Sequence, residues 1–342
     1  MNISLSKGVL YIETLNIETY FKPKDGLPGV SHPARILASD GKQYFLKGNY
    51  GYFGDKWIKL DAALAQELFA YQLAEYLSLP VTNVALIEIE ESDLDIYSDL
   101  RFKHHIMTAG IYLATEAVET ANQTLELLLE ESKWGIPQTK KKINNFFKKL
   151  QNKDDISKII YFDLLTANVD RYSNAGNLIF KKANDGTYIL AIDFGYCFFG
   201  PYWTSNEYIL NLSKIKLLTA EYPQITNWGK FMTECCFTKN GRIGAVFSLL
   251  EKYIKFEDNP FASSHYLAVN LESNQLTDML MKIPDDWLIQ GNHQRTIYLN
   301  FILNQVKQMP GILDFAVRSK FFTNNRTGGS LQWHKEQNTL VQ

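Results

Sequence analysis

Cysteine is scarce in this chain, with three among 342 residues: Cys197, Cys235 and Cys236. The last two are adjacent, a spacing that suits neither an intrachain disulfide nor a zinc site, so reduced and mostly buried thiols are expected. No stretch approaches the ~18 apolar residues of a membrane span, and the first residues show no signal-peptide h-region. The expectation is a cytoplasmic protein with no membrane partner. An excess of one charge is also missing: 35 basic and 37 acidic side chains leave a formal charge of -2, so no global field gathers nucleic acid or anionic lipid. The one basic run, Lys140 to Lys149, reads as a solvated helix face. No internal repeat is found.

What is present is an ordinary globular composition, 46% apolar and 21% charged, enough for one or two packed domains. From Val9 to Lys47 the apolar residues alternate in strand fashion between the breakers Asp25-Gly26, Pro28-Gly29 and Asp40-Gly41. A helix is expected from about Trp57 to Leu79, capped near Asp55 and stopped at Pro80. Val81 to Glu90 reads as a further strand. After Ser92 the pattern turns helical, at about 115 to 132, 139 to 151 and 155 to 167. Two short strands follow around Asn184-Asp185-Gly186, and helices resume from about 205 to 310. A sheet with one helix, followed by helices around one hairpin, suggests an α+β chain in two lobes joined near Ile106 to Leu113.

Two hairpins carry the chemistry. Asp40-Gly41 is a favoured two-residue turn, and counting outward pairs Ser39 with Lys42 and Ala34 with Lys47. Lys47 then ends a strand beside the segment Gly26 to His32, whose Gly29, Ser31 and His32 offer backbone and side-chain donors to a phosphate chain. Alone, a strand-end lysine is an ordinary solvated residue. In the second hairpin, symmetric pairing about Asp185 sets Asn177 opposite Asp193, with Cα atoms about 4.5 to 5.5 Å apart. Two oxygen-bearing side chains at that spacing can share a divalent ion, and Asp170 lies in the turn-rich loop just upstream. Magnesium suits so sparse a set, because it keeps waters and takes other oxygens from phosphates. Asp193-Phe194-Gly195 would be unremarkable by itself, but it coincides with Asp170, Asn177 and an upstream glycine loop with a lysine.

These residues resemble the HipA-like kinases, a bacterial branch of the protein-kinase-like superfamily, and in particular its stand-alone members. The resemblance rests on Tyr44-Phe-Leu-Lys47, Gln66-Glu67 through Pro80, Asn168-Val-Asp170-Arg171 through Asn177-Leu-Ile, and Ile192-Asp-Phe-Gly195. It spans about residues 10 to 200, with Ile283 to Trp287 as a short later match. It implies a two-lobed protein-kinase-like fold with a small antiparallel-sheet N-lobe bearing one helix (1–108) and a larger helical C-lobe (109–318), while the last residues (319–342), with Asn324-Asn325 and Gly328-Gly329-Ser330, read as a flexible tail. It also implies ATP and Mg2+ as cofactors. Lys47 would contact the phosphates and pair with Glu67, Asp170 would be the catalytic base, Asn177 and Asp193 would hold the metal, and the segment Gly26 to His32 would cover the phosphates.

The implied activity is transfer of the γ-phosphate to a serine or threonine of a protein, itself included. A small-molecule or lipid acceptor, adenylyl transfer, and a kinase-like nucleotide-binding interaction protein without transfer remain open, and a toxin–antitoxin type partner is one the family admits. Three departures matter: the glycine loop is sparse, Tyr172 follows Arg171 where some relatives have histidine, and Asn174 rivals Asn177 as the metal ligand. Arg171 either organises the loop or pairs with a carboxylate. Elsewhere, His104 and His105 would point to opposite faces of a strand, which disfavours joint chelation. Phe198 to Trp203 reads either as an acceptor surface or as packing.

Overall fold

The computed structural model describes residues 12–23, 32–102, 105–121, 124–133, 135, 137–204, 213–220, 227–325 and 330–333. The chain opens with strands β1 (Thr14–Phe21), β2 (Ala34–Ala38), β3 (Gln43–Lys47), β4 (Tyr50–Phe53) and β5 (Lys56–Lys59), then helix α1 (Ala63–Tyr76). Next come β6 (Val84–Ile89), the short helices α2 (Glu91–Ile96) and α3 (Asp99–Phe102), and β7 (Gly110–Glu116). Helices α4 (Leu125–Lys133), α5 (Pro137–Lys148) and α6 (Ile156–Leu165) lead to the hairpin β8 (Leu178–Ala183) and β9 (Gly186–Ala191). After α7 (Lys214–Leu218) and α8 (Trp228–Phe237) comes a small hairpin, β10 (Thr238–Lys239) and β11 (Arg242–Ile243). Helices α9 (Ala245–Leu250), α10 (Ala262–Val269), α11 (Ser273–Met281) and α12 (Gly291–Arg318) follow.

Five strands close into a barrel in the order β1-β2-β3-β7-β6. Alternate residues such as Leu15, Ile17, Ile36, Leu46 and Ile87 are buried, as a period of two requires. The expected purely antiparallel sheet is corrected at one seam: β6 returns parallel to β1, with Thr14 against Leu86, and so closes the sheet. The helix expected from Trp57 begins only at Ala63, because Lys56–Lys59 folds back on Tyr50–Phe53 through Gly54, whose φ of 66° suits a tight turn. Among the described residues three helices, not one, precede β7. The stretch expected to connect two lobes and start a helix near 115 is β7 itself, paired to β3 and β6, so the barrel runs past residue 108. Its four consecutive buried residues, Tyr112 to Thr115, hide the alternation that would have marked it as a strand.

Helix α1 is buried from Ala63 through Ala74 and lies between the barrel and the helices. Gln72 Nε2 donates to the Met279 carbonyl of α11 at 3.0 Å. A continuous apolar core runs from Leu15 and Ile36 of the barrel through Phe69 and Phe162 to Phe301 and Phe322. Phe322 corrects the expectation of a flexible tail from 319: it is 2% exposed and packs against Phe247, Phe256 and Phe261. Thr323 bonds Glu251 through its N–H and hydroxyl, and Trp333 stacks edgewise on His265.

Candidate active site

Lys47 is the last residue of β3, and Glu67 reaches it from α1. Lys47 Nζ donates to Glu67 Oε1 at 2.6 Å and lies 3.0 Å from Asp193 Oδ1. The lysine and Glu67 are buried, whereas the Asp193 side chain keeps 32% exposure. Burial opposes the Lys47 charge, but Asp193 and Glu67 outweigh it and hold the ammonium firmly protonated. Burial pushes the Glu67 carboxyl up to about 7 against the pull of Lys47. For Asp193 burial also acts upward, yet the nearby ammonium prevails and the carboxyl ends below its ordinary range. One cation thus serves two carboxylates, of which Asp193 is the more exposed.

Both hairpins close one residue away from the expected register. Ala34 pairs with Leu46 and Leu37 with Gln43, because Ser39-Asp40-Gly41 forms a three-residue loop with Gly41 at φ 76°, leaving Lys47 beyond the hairpin and opposite Leu113 of β7. In β8–β9 the loop is Asn184-Asp185, with Ala183 against Gly186. Asn177 therefore stands opposite Ile192, whose N–H donates to the Asn177 carbonyl at 3.1 Å, and not opposite Asp193. Asp193 departs from the strand with φ at 59°. That left-handed conformation costs an ordinary residue roughly 1–2 kcal/mol and is tolerated best by Gly, Asn and Asp. The turn delivers the carboxylate to Lys47, a placement that the simple ladder would not make.

Asp170 follows the buried helix α6 and is held by its own loop. Its Oδ2 accepts from Asn174 Nδ2 at 3.0 Å and Asn177 Nδ2 at 2.9 Å, and its Oδ1 from Ser173 Oγ at 3.3 Å. Asn174 is exposed and engages its amide oxygen with the Gly176 N–H, capping a short 3-10 turn. Asn177 is 3% exposed and points its amide nitrogen at Asp170, turning its oxygen to the other side.

Arg171 ties this loop to the strand that carries Asp193. It is fully buried, with Nε 2.8 Å from both Asp163 oxygens and Nη1 donating to the carbonyls of Asn177 at 2.6 Å and Ile192 at 2.9 Å. Asn168 Nδ2 also donates to Asp163 at 3.1 Å. Both roles considered for Arg171 are realised together: it organises the loop by pairing with a carboxylate. Its guanidinium lies over the ring of Phe194, which wedges edgewise between Tyr71 of α1 and Phe162 of α6.

Three contributing residues were not singled out from the sequence. Asp163 is the only acid in the apolar run Ile159 to Leu165, and that anomaly was a usable signal. Gln66, beside Glu67, donates its Nε2 to the carbonyls of Gly195 and Gly200. Lys214, 4% exposed, donates to Gln66 Oε1 at 2.7 Å and to the Gly200 carbonyl at 2.6 Å. Burial pushes its ammonium down to about 7, against the weaker upward pull of Asp61. Nothing local in the sequence marks Lys214.

Gly29 and Ser31 lie outside the described residues. His32 packs its ring against Tyr52 and Trp57, at 5.7 and 5.6 Å, on the β4–β5 hairpin. His104 is outside the described residues, and His105 is buried, with its Nε2 3.3 Å from the Tyr20 hydroxyl. Phe198 and Trp203 are buried against Tyr298, which favours packing for that aromatic run. Among the described residues no three His, Cys, Asp or Glu side chains converge as a self-sufficient metal site.

No family model matches the chain, and no curated protein sequence matches it. Among solved structures it is similar to the proinflammatory kinase CtkA of Helicobacter pylori, at 13% identity and a TM-score of 0.49 over 88% of this chain and 95% of that one. It is also similar to a chain of the toxin–antitoxin system HipA, HipB and operator DNA complex of Shewanella oneidensis MR-1, at 13% identity and a TM-score of 0.42 over 86% of this chain and 68% of that one. A third similar structure is the MAP kinase LmaMPK10 of Leishmania major, at 14% identity and a TM-score of 0.23 over 95% and 89% of the two chains.

Proposed function

We propose that the protein is an ATP- and magnesium-dependent phosphotransferase, a HipA-like serine/threonine protein kinase whose barrel and α1 form the nucleotide lobe and whose later helices form the acceptor lobe. The observation that carries this reading is the Lys47 ammonium held between Glu67 and Asp193, at 2.6 and 3.0 Å. A fixed cation beside a partly exposed carboxylate is what a bound polyphosphate and its metal require, since phosphoryl transfer is dominated by positioning and charge neutralisation.

The donor set fits magnesium. Asp193 and the oxygen of Asn177 offer two ligands, which suits an ion that completes its shell from waters and phosphates. When bound, magnesium would neutralise charge on the phosphates. Lys47 orients the same phosphates, and Glu67 keeps Lys47 in place. Asp170, its carboxylate aimed by Ser173, Asn174 and Asn177, accepts the proton of the acceptor hydroxyl. Arg171 sets the distance between that base and the Asp193 strand by holding the carbonyls of Asn177 and Ile192.

The test is incubation of the purified protein with magnesium and ATP labelled at either the α- or the γ-phosphate, followed by intact-mass analysis. Wild type should gain phosphate from the γ-label only, Asp170→Ala should lose transfer while retaining ATP binding, and Asp193→Ala should lose magnesium-dependent ATP binding as well. Incorporation of the α-label would replace the reading with nucleotidyl transfer. Equal rates for Asp170→Ala and wild type would remove the assigned base.

A further inference from the structure

The small hairpin β10–β11 has no role in the chemistry described so far, yet it is clamped to the Asp170 loop. Its far end runs into Gly244, where a Cβ would collide with the Tyr172 carbonyl, so only glycine permits this approach. Tyr172, two residues after Asp170, is buried with its ring edgewise on Phe237 and Phe247, both at 5.4 Å. These residues lie in the helices that enter and leave the hairpin, so the hairpin is held in a fixed position relative to Asp170.

The clamped hairpin presents a pair of cations that form no ion pair among the described residues. Lys239 lies directly opposite Arg242 across the two strands, both exposed, at the two ends of an Asn240-Gly241 turn with φ of 53° and 72°. Like charges in directly opposed positions destabilise a ladder, so the pair is held together by the favoured Asn-Gly turn and not by its own contacts. The pair borders an open groove of about 510 Å³ lined by Ser173, Lys239, Asn240, Arg242 and Ile243 to Ala245. None of its described lining residues is acidic. Ser173 belongs to both places, since its Oγ donates to Asp170 Oδ1 at 3.3 Å. A cationic groove thus meets the assigned base at a single residue.

We infer that this groove binds the acidic flank of a polypeptide acceptor, with Lys239 and Arg242 taking side-chain carboxylates while the acceptor hydroxyl reaches Asp170. The assignment of the hydroxyl rests on the phosphotransferase reading; the binding of an acidic segment by the hairpin does not. An extended chain suits the groove better than a small molecule, because the groove is open and its two cations are exposed on the surface.

Two fluorescein-labelled peptides of equal length test this on the full chain, one with a serine flanked by glutamates and one with lysines in their place. By fluorescence anisotropy in low salt, wild type should bind the glutamate peptide at least about tenfold more tightly than the lysine peptide, with the preference shrinking as salt rises. The double substitution Lys239→Glu and Arg242→Glu should abolish or invert the preference, and Lys239→Ala with Arg242→Ala should reduce it. Unchanged thermal unfolding of these surface variants would show that the loss is not misfolding. Equal binding of the two peptides by wild type, or a preference that survives the double reversal, overturns the groove. Labelling with γ-labelled ATP separates the two readings: preferential binding without phosphate transfer leaves the groove standing and counts against the kinase, while transfer with no preference between the peptides counts against the groove alone.

Discussion

Lys47 Nζ stands 3.0 Å from Asp193 Oδ1, although 146 positions separate the two in the chain. The contact joins the end of a barrel strand to a residue in left-handed conformation after β9, and Glu67 completes it from α1. Replacing Glu67 by glutamine removes the charge that holds Lys47 from behind and leaves the lysine drawn to Asp193 alone. Under the proposed reaction, transfer should fall by about 10²-fold, in kcat more than in KM for ATP. Steady-state kinetics of Glu67→Gln would measure it, and wild-type rates would show that the pair is merely structural.

The two asparagines are expected to separate by role. Asn174 caps a turn through its oxygen, whereas Asn177 turns its oxygen away from Asp170. Asn177→Ala should raise the magnesium concentration needed for half-maximal ATP binding by roughly tenfold or more, and Asn174→Ala should leave it nearly unchanged. A magnesium titration of both variants decides between them. A larger shift for Asn174→Ala would exchange the assignments.

Asp163 and Arg171 form a buried ion pair, at 1% and 0% side-chain exposure. Burial pushes the Asp163 carboxyl up, and Arg171 acts against it. Arg171→Met should cost about 3–5 kcal/mol, because a carboxylate is left without its partner and two carbonyls without their donor. Adding Asp163→Leu should recover part of that loss. Urea unfolding of the single and double variants would reveal it, and additive losses would speak against coupling.

Lys214 predicts a pH dependence of stability. Its ordinary value is 10.5 and burial brings it down to about 7 in the fold, so between those values the unfolded chain binds the proton that the folded chain has released. Stability from this group therefore rises as pH increases from about 7 to 10.5, and below 7 its cost is fully present. Lys214→Met removes the contribution, so the difference in stability between variant and wild type should shrink over this window if the variant starts ahead. Chemical denaturation at intervals across the window measures the slope; parallel curves for the two proteins would show that Lys214 does not titrate there.

The residues of the candidate site stood out in the sequence because their signals are local. Lys47 at the end of an alternating strand, Asp170 in a turn-rich loop, Asn177 at the start of a strand and Asp193-Phe194-Gly195 after the next were all visible in short windows. Register was not, since turn length depends on backbone angles: Gly41 in left-handed conformation made the first loop three residues long, and the second closed with two. The parallel seam between β1 and β6 and the strand β7 escaped for another reason, because β7 is buried on consecutive residues and carries no period. Sequence by itself determined which side chains are available and the local elements that carry them. Only the tertiary structure decided that one ammonium serves two carboxylates from distant elements, that Asp163 answers Arg171, and that Lys214 is buried against Gln66. The physical reason is that such pairs depend on helix and strand packing across long chain separations, where desolvation makes a partner necessary and no local propensity encodes which one it is.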